Sequence, residues 1–128
     1  YSLESSIAEK LEAIVKNGFL NSRYKDFYDI YVLSEKYPFN YEELSNAVME
    51  TFTNRKTPIT METAAFSNEF LDDSMHQTRW NSFLKKKKAM IQVSMNDAMT
   101  RIKTFVTPLL TQTSVPVTKW GPNEGCWK

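Results

Sequence analysis

The 128-residue sequence contains one cysteine, Cys126, so no disulfide can form within the chain. Nothing in it calls for an oxidising compartment. One histidine, His76, leaves no Cys–His spacing for zinc, and reads as a surface or packing residue. Cys126 has no histidine near it in sequence, which argues against a catalytic thiol. Three glycines and five prolines, four of them beyond position 57, do not suit a chain of many short strands and tight turns. No apolar run approaches the roughly 20 residues of a membrane span. No signal-peptide pattern follows Tyr1, and the expected location is cytoplasmic. No Gly-rich phosphate loop of the Walker or dinucleotide type is present. Charge is balanced, with sixteen Lys and Arg against fifteen Asp and Glu, a net +1. Any nucleic-acid contact must therefore come from a local patch, not a global field.

Hydrophobic residues make up 41% of the chain and aromatics 13%, enough for a real core. Their spacing is helical. Leu3, Ile7, Leu11, Ile14 and Val15 form one stripe over residues 2–16, and Asn17-Gly18 supplies a stop. That wheel leaves Glu4, Ser5, Ala8, Glu9, Lys10 and Glu12 off the stripe. A second helix is expected from Ser22 or Arg23 to Lys36, directing Phe27, Ile30, Tyr31 and Leu33 inward and ending before Pro38. Asn40 with Glu43 resembles a capping box for a third helix carrying Leu44, Val48 and Phe52. After Thr57-Pro58, Thr60 is read as the cap of a short helix through Phe66, and a further turn holds Phe70 and Leu71. Two more helices are expected, from Asp73 to Lys88 and from Met90 to Leu110.

The fold class predicted is all-α, five or six helices over residues 1–110. An irregular tail, 111–128, carries Trp120 and Trp127 as candidates for docking on the body. The expected core is Leu11, Ile14, Phe27, Ile30, Leu44, Phe52, Trp80, Phe83, Ile102 and Phe105.

The first thirty residues carry the chemistry. Asp26 and Asp29 are three apart and Lys25 and Asp29 four apart, so one side of the second helix collects them beside Arg23. From spacing alone, ordinary surface ion pairs explain such a face. The only strong charge run is Lys85, Lys86, Lys87 and Lys88, with Arg79. It reads either as a solvated helix end or as a contact for an RNA backbone.

The order of these residues adds more. Ala8, Glu9, Lys10, Leu11, Ala13 and Ile14, then Ser22, Arg23, Lys25, Asp26, Asp29 and Ile30, resemble two linked motifs of the AbiEii-type nucleotidyltransferase toxins. That family is the toxin half of bacterial toxin–antitoxin and phage-defence (abortive infection) systems. The resemblance implies a polymerase-β-like lobe followed by a helical lobe. It also implies transfer of a nucleotide from a nucleoside triphosphate (NTP), with Mg²⁺, to an acceptor such as tRNA. Lys10 and Asp29 would then be the catalytic residues, with Arg23, Lys25 and Asp26 binding the nucleotide. The family's Gly-Ser or Gly-Gly turn with a downstream Asp-x-Asp pair has no counterpart, because Asp72 and Asp73 are adjacent and follow no glycine turn. Two-metal transfer needs those carboxylates. The expectation is therefore a nucleotidyltransferase lobe upstream of Tyr1, no metal held by this chain, and no catalysis by this chain alone. Partners implied are that lobe, an antitoxin and RNA. The competing reading is a protein-interaction module exposing Tyr24, Tyr28 and Tyr37.

Overall fold

A computed structural model describes residues 2–20, 23–87, 91–112 and 117–128. Among these residues lie six α-helices: α1 (Leu3–Asn17), α2 (Tyr24–Lys36), α3 (Tyr41–Asn54), α4 (Asn68–Asp72), α5 (Ser74–Lys87) and α6 (Met95–Thr111). Three short strands join them, β1 (Phe39–Asn40), β2 (Lys119–Gly121) and β3 (Cys126–Trp127). The fold is mostly helical, as expected from composition. No helix among the described residues is long and apolar enough to cross a membrane.

Local chemistry sets most boundaries. Ser2 caps α1 by accepting from the Ser5 amide, and Gly18 ends it at a φ of 57° that a side chain would resist. Asn40 caps α3 through the Glu43 amide. The α1 stripe packs chiefly on α3 and α2, and α2 in turn packs on α6. Nine of the ten expected core residues are buried. Phe83 is half-buried, edging Tyr28 with ring centroids 5.8 Å apart.

Four expectations are corrected. Thr60 caps no helix: it accepts from the Glu62 amide in a local turn, and the helical turn between Thr60 and Phe66 is a 3-10 stretch, Ala64–Phe66, capped by Thr63. The last helix begins at Met95, not Met90, because Ser94 takes the Asp97 amide and fixes the start. Met90 lies outside the described residues, and Ile91 packs on the core from the segment before α6. Ala8 and Glu12 face inward, not outward. The tail is not wholly irregular. Phe39 pairs with Trp120, and Trp120 with Trp127, in an antiparallel sheet of order β1-β2-β3. Both tryptophans dock as anticipated, Trp120 with no exposed surface.

His76 is a packing residue in an aromatic nest. It stacks on Phe70 at 3.8 Å and bridges the Tyr24 hydroxyl at Nδ1, 2.7 Å, and the Phe19 carbonyl at Nε2, 2.9 Å. A carbonyl can only accept, so Nε2 carries the hydrogen and the Tyr24 hydroxyl donates to Nδ1. Burial pushes the Tyr24 phenol above its ordinary pKa, which keeps that donor protonated. Replacing His76 by Ala opens a cavity and strands the Phe19 carbonyl. The expected destabilisation is about 2–4 kcal/mol by urea unfolding.

Candidate functional site

Helices α1 and α2 meet at a crossed set of charges. Lys10 projects from α1 toward α2, placing Nζ 3.1 Å from Asp29 Oδ2 and 3.9 Å from Asp26 Oδ1. Along α2, Arg23 Nε donates to Asp26 Oδ2 at 2.7 Å and Lys25 Nζ to Asp29 Oδ2 at 2.8 Å. All five residues singled out in the first thirty positions are thus brought together. Three cations surround two carboxylates, an excess of one positive charge that favours an anion.

In the two α2 pairs the cations are open to water while Asp26 is buried, and the Lys25–Asp29 pair contributes little to stability, under about 1 kcal/mol. In the α1–α2 contact the cation is also enclosed, with side-chain exposures of 22% for Lys10 and 21% for Asp29. Burial alone would push the Asp29 carboxyl up. The hydrogen bonds and charges of Lys25 and Lys10 outweigh it and hold Asp29 below its usual range. The same contact to Asp29 pushes the Lys25 ammonium up, so it stays charged.

Lys10 and Ser6 form a ridge between two clefts. On one side lies a polar cleft of about 440 Å³, reached by Lys16, Arg23 and Arg55 and by the carboxylates Glu9, Glu12 and Asp26. On the other lies a groove of about 580 Å³ with an apolar floor, reached by Asp29 and by Lys36 and Lys87 at its rim. The described lysines of the run therefore do not all line one cleft. Lys87 borders this groove, with Nζ 5.6 Å from the centre of the Tyr28 ring. Lys85 borders a different cleft with Thr78, Asn81 and Gln92. Two residues apart on a helix means about 200° of rotation, which separates them. Lys86 is exposed, and Lys88 lies outside the described residues, as does Ser22 of the second motif.

Arg55 was not anticipated. It donates to Glu12 at 2.9 Å and to Glu9 at 2.8 Å, while Thr57 donates to Glu12 at 2.6 Å. Glu12 is 2% exposed, and a buried carboxylate needs such partners. The only hint in the sequence was its spacing: Ala8, Glu12 and Val15 recur at helical intervals on one face.

Among the described residues no group of three or more His, Cys, Asp or Glu side chains is placed to hold a metal. Asp26 and Asp29 face ammonium and guanidinium groups, and Asp73 caps α5 by accepting from the His76 amide at 2.9 Å. These carboxylates do not fit a Mg²⁺ ion on their own. The exposed tyrosine surface expected for a protein-interaction module is also not formed. Tyr24 and Tyr28 are buried in the core, and only Tyr37 is exposed, at 42%.

The site defines a mostly helical domain that gathers Lys, Arg and paired carboxylates between two open clefts. The family model described as "Nucleotidyl transferase AbiEii toxin, Type IV TA system" matches residues 1–98, and the chain belongs to this family. No curated protein and no solved structure gave a match.

Proposed function

We propose that this chain is the helical lobe of a nucleotidyltransferase toxin and completes the cleft in which a nucleotide passes from an NTP to an acceptor such as tRNA. The observation that carries this reading is the convergence of Lys10 on Asp29 and Asp26 from a separate helix, at the meeting of two clefts. Isolated surface pairs on one helix would not require that convergence. Lys10 is the cation for negative charge developing on the phosphates. Arg23 offers a planar fork suited to phosphate, with Asp26 holding it in place. Asp29 orients Lys10 and Lys25. Its lowered pKa suits that role better than general-base work near neutral pH, which needs a raised one.

In this reading the Mg²⁺-binding carboxylates belong to a nucleotidyltransferase lobe outside this sequence. The protein acts in the cytoplasm, and its cognate antitoxin restrains it. Lys85, Lys86, Lys87 and Lys88 are offered as the contact for acceptor RNA. Replacing all four by Gln is expected to weaken RNA binding and flatten its salt dependence. Unchanged affinity would remove that role.

The decisive experiment is transfer of labelled NTP to total tRNA by the full-length protein and by its Lys10→Ala and Asp29→Ala variants. Label transferred by the parent and lost in both variants is the expected result. Transfer undiminished in both variants would remove these residues from the reaction.

A further inference from the structure

The apolar groove is floored by side chains that pack on the core on their other side, and its position relative to Lys10 is informative. Its floor is built by Tyr28, Val32 and Leu33 of α2, closed by Leu3 from α1 and by Ile91. Its volume of about 580 Å³ falls within the span typical of small-molecule sites, roughly 300–1,000 Å³. Charge enters only at the edges. Lys10 stands at the end shared with the polar cleft, with Asp29 beside it in the groove, and Lys36 and Lys87 stand on the rim. The Asp29 charge is already met by Lys10 and Lys25, so the rim as a whole is cationic.

A ligand that spans the Lys10 ridge meets two surfaces of opposite character. One end lies among the cations Lys10, Lys16, Arg23 and Arg55, which outnumber the carboxylates Glu9, Glu12 and Asp26 by one, and the other on an apolar floor with cations around it. A nucleoside triphosphate has this division, with a polyanionic tail and a flat, weakly polar base. Bases stack and pack on apolar and aromatic surfaces, and the phosphates need the cations.

We infer that the groove is the nucleoside half of the nucleotide site: base and ribose of the donor triphosphate rest on Tyr28, Val32, Leu33 and Ile91, while the phosphates cross Lys10 into the polar cleft. This inference rests on the nucleotidyltransferase reading and deepens it. Lys87 then closes the open side over the base, a role separate from any contact with acceptor RNA.

Calorimetric titration of the full-length protein with each of the four ribonucleoside triphosphates and with inorganic tripolyphosphate tests it. The best-bound nucleotide is expected to bind at least about tenfold more tightly than tripolyphosphate, since the groove adds apolar contact that tripolyphosphate cannot make. Val32→Trp fills the groove and is expected to abolish that advantage, leaving tripolyphosphate affinity as it was. Lys10→Ala weakens both ligands. Ile91→Ser, on the opposite wall, serves as the second variant should Val32→Trp fail to fold, and is expected to reduce the advantage in the same direction. Equal affinity for nucleotide and tripolyphosphate overturns the inference but leaves a phosphate site at Lys10. A nucleotide advantage that survives in a folded groove variant also overturns it. No binding of either ligand overturns both the inference and the reading beneath it.

Discussion

Lys10→Ala is expected to lower nucleotide transfer by roughly 10²–10³-fold, the loss usual when one preorganised charge partner of a transition state is removed. The effect should fall mainly on kcat, because charge on the leaving phosphates grows during the reaction. The fold should persist. Asp26 retains Arg23 and Asp29 retains Lys25, so no carboxylate is left without a partner. Single-turnover transfer alongside a thermal melt separates chemistry from stability. Lys10→Arg is expected to recover part of the rate, since it restores charge on a bulkier, planar group. A Lys10→Ala protein with parental rates would place the reaction elsewhere.

Asp29 adds a pH test. Its folded pKa lies below the unfolded carboxylate value of about 3.9. Its contribution to stability is therefore full above that value and lost as pH falls through the lower folded one. The transfer–pH profile near neutrality should carry no limb that Asp29→Asn removes. A limb there that vanishes in Asp29→Asn would assign Asp29 general-base work in place of orienting Lys10 and Lys25.

Trp120→Ala is expected to destabilise the protein by about 3–5 kcal/mol, the range for deleting a buried large aromatic. The indole has no exposed surface and donates to the Ser34 carbonyl at 2.8 Å. It packs edge-on against Phe105 at 4.8 Å, and the Arg101 guanidinium lies 5.5 Å from its ring centre. Its loss uncovers Phe39 across the strand pair and removes one of the contacts that hold the hairpin to α6, leaving Trp127 on Phe105. Trp120→Phe keeps most of the ring and loses the N–H donor, and is expected to cost less, about 1–2 kcal/mol. Urea unfolding followed by far-UV circular dichroism measures both. A loss below about 1 kcal/mol for Trp120→Ala would mean the tail rests on a body that is stable without it. The family match ends at residue 98, before β2 and β3, so this closure lies outside the matched region.

The first half of the fold was legible because its signals are local. Helical spacing over α1, α2 and α3, with Gly18, Pro38 and Asn40 as punctuation, set those helices to within a residue or two. The α5–α6 break carried a local signal as well, Ser94 with Asp97, but no Gly or Pro marked it, and the apolar stripe runs through Ile91 as though the helix began earlier. The strands were not legible. Two- and three-residue strands have no periodicity of their own, and β1 exists because Trp120 lies beside Phe39, far along the chain.

The sequence by itself determined a helical class, a mostly apolar core and one polar face on α2. Spacing of three and four residues on a helix places side chains together whatever surrounds them. It determined the candidate residues Lys10, Arg23, Lys25, Asp26 and Asp29 through two ordered motifs. Only the tertiary structure decided that Lys10 crosses to Asp29, that Glu12 is buried against Arg55 and Thr57, and that Lys87 and Lys85 border different clefts. Each depends on how one helix is rotated and set against another, and that is settled by packing between residues distant in sequence.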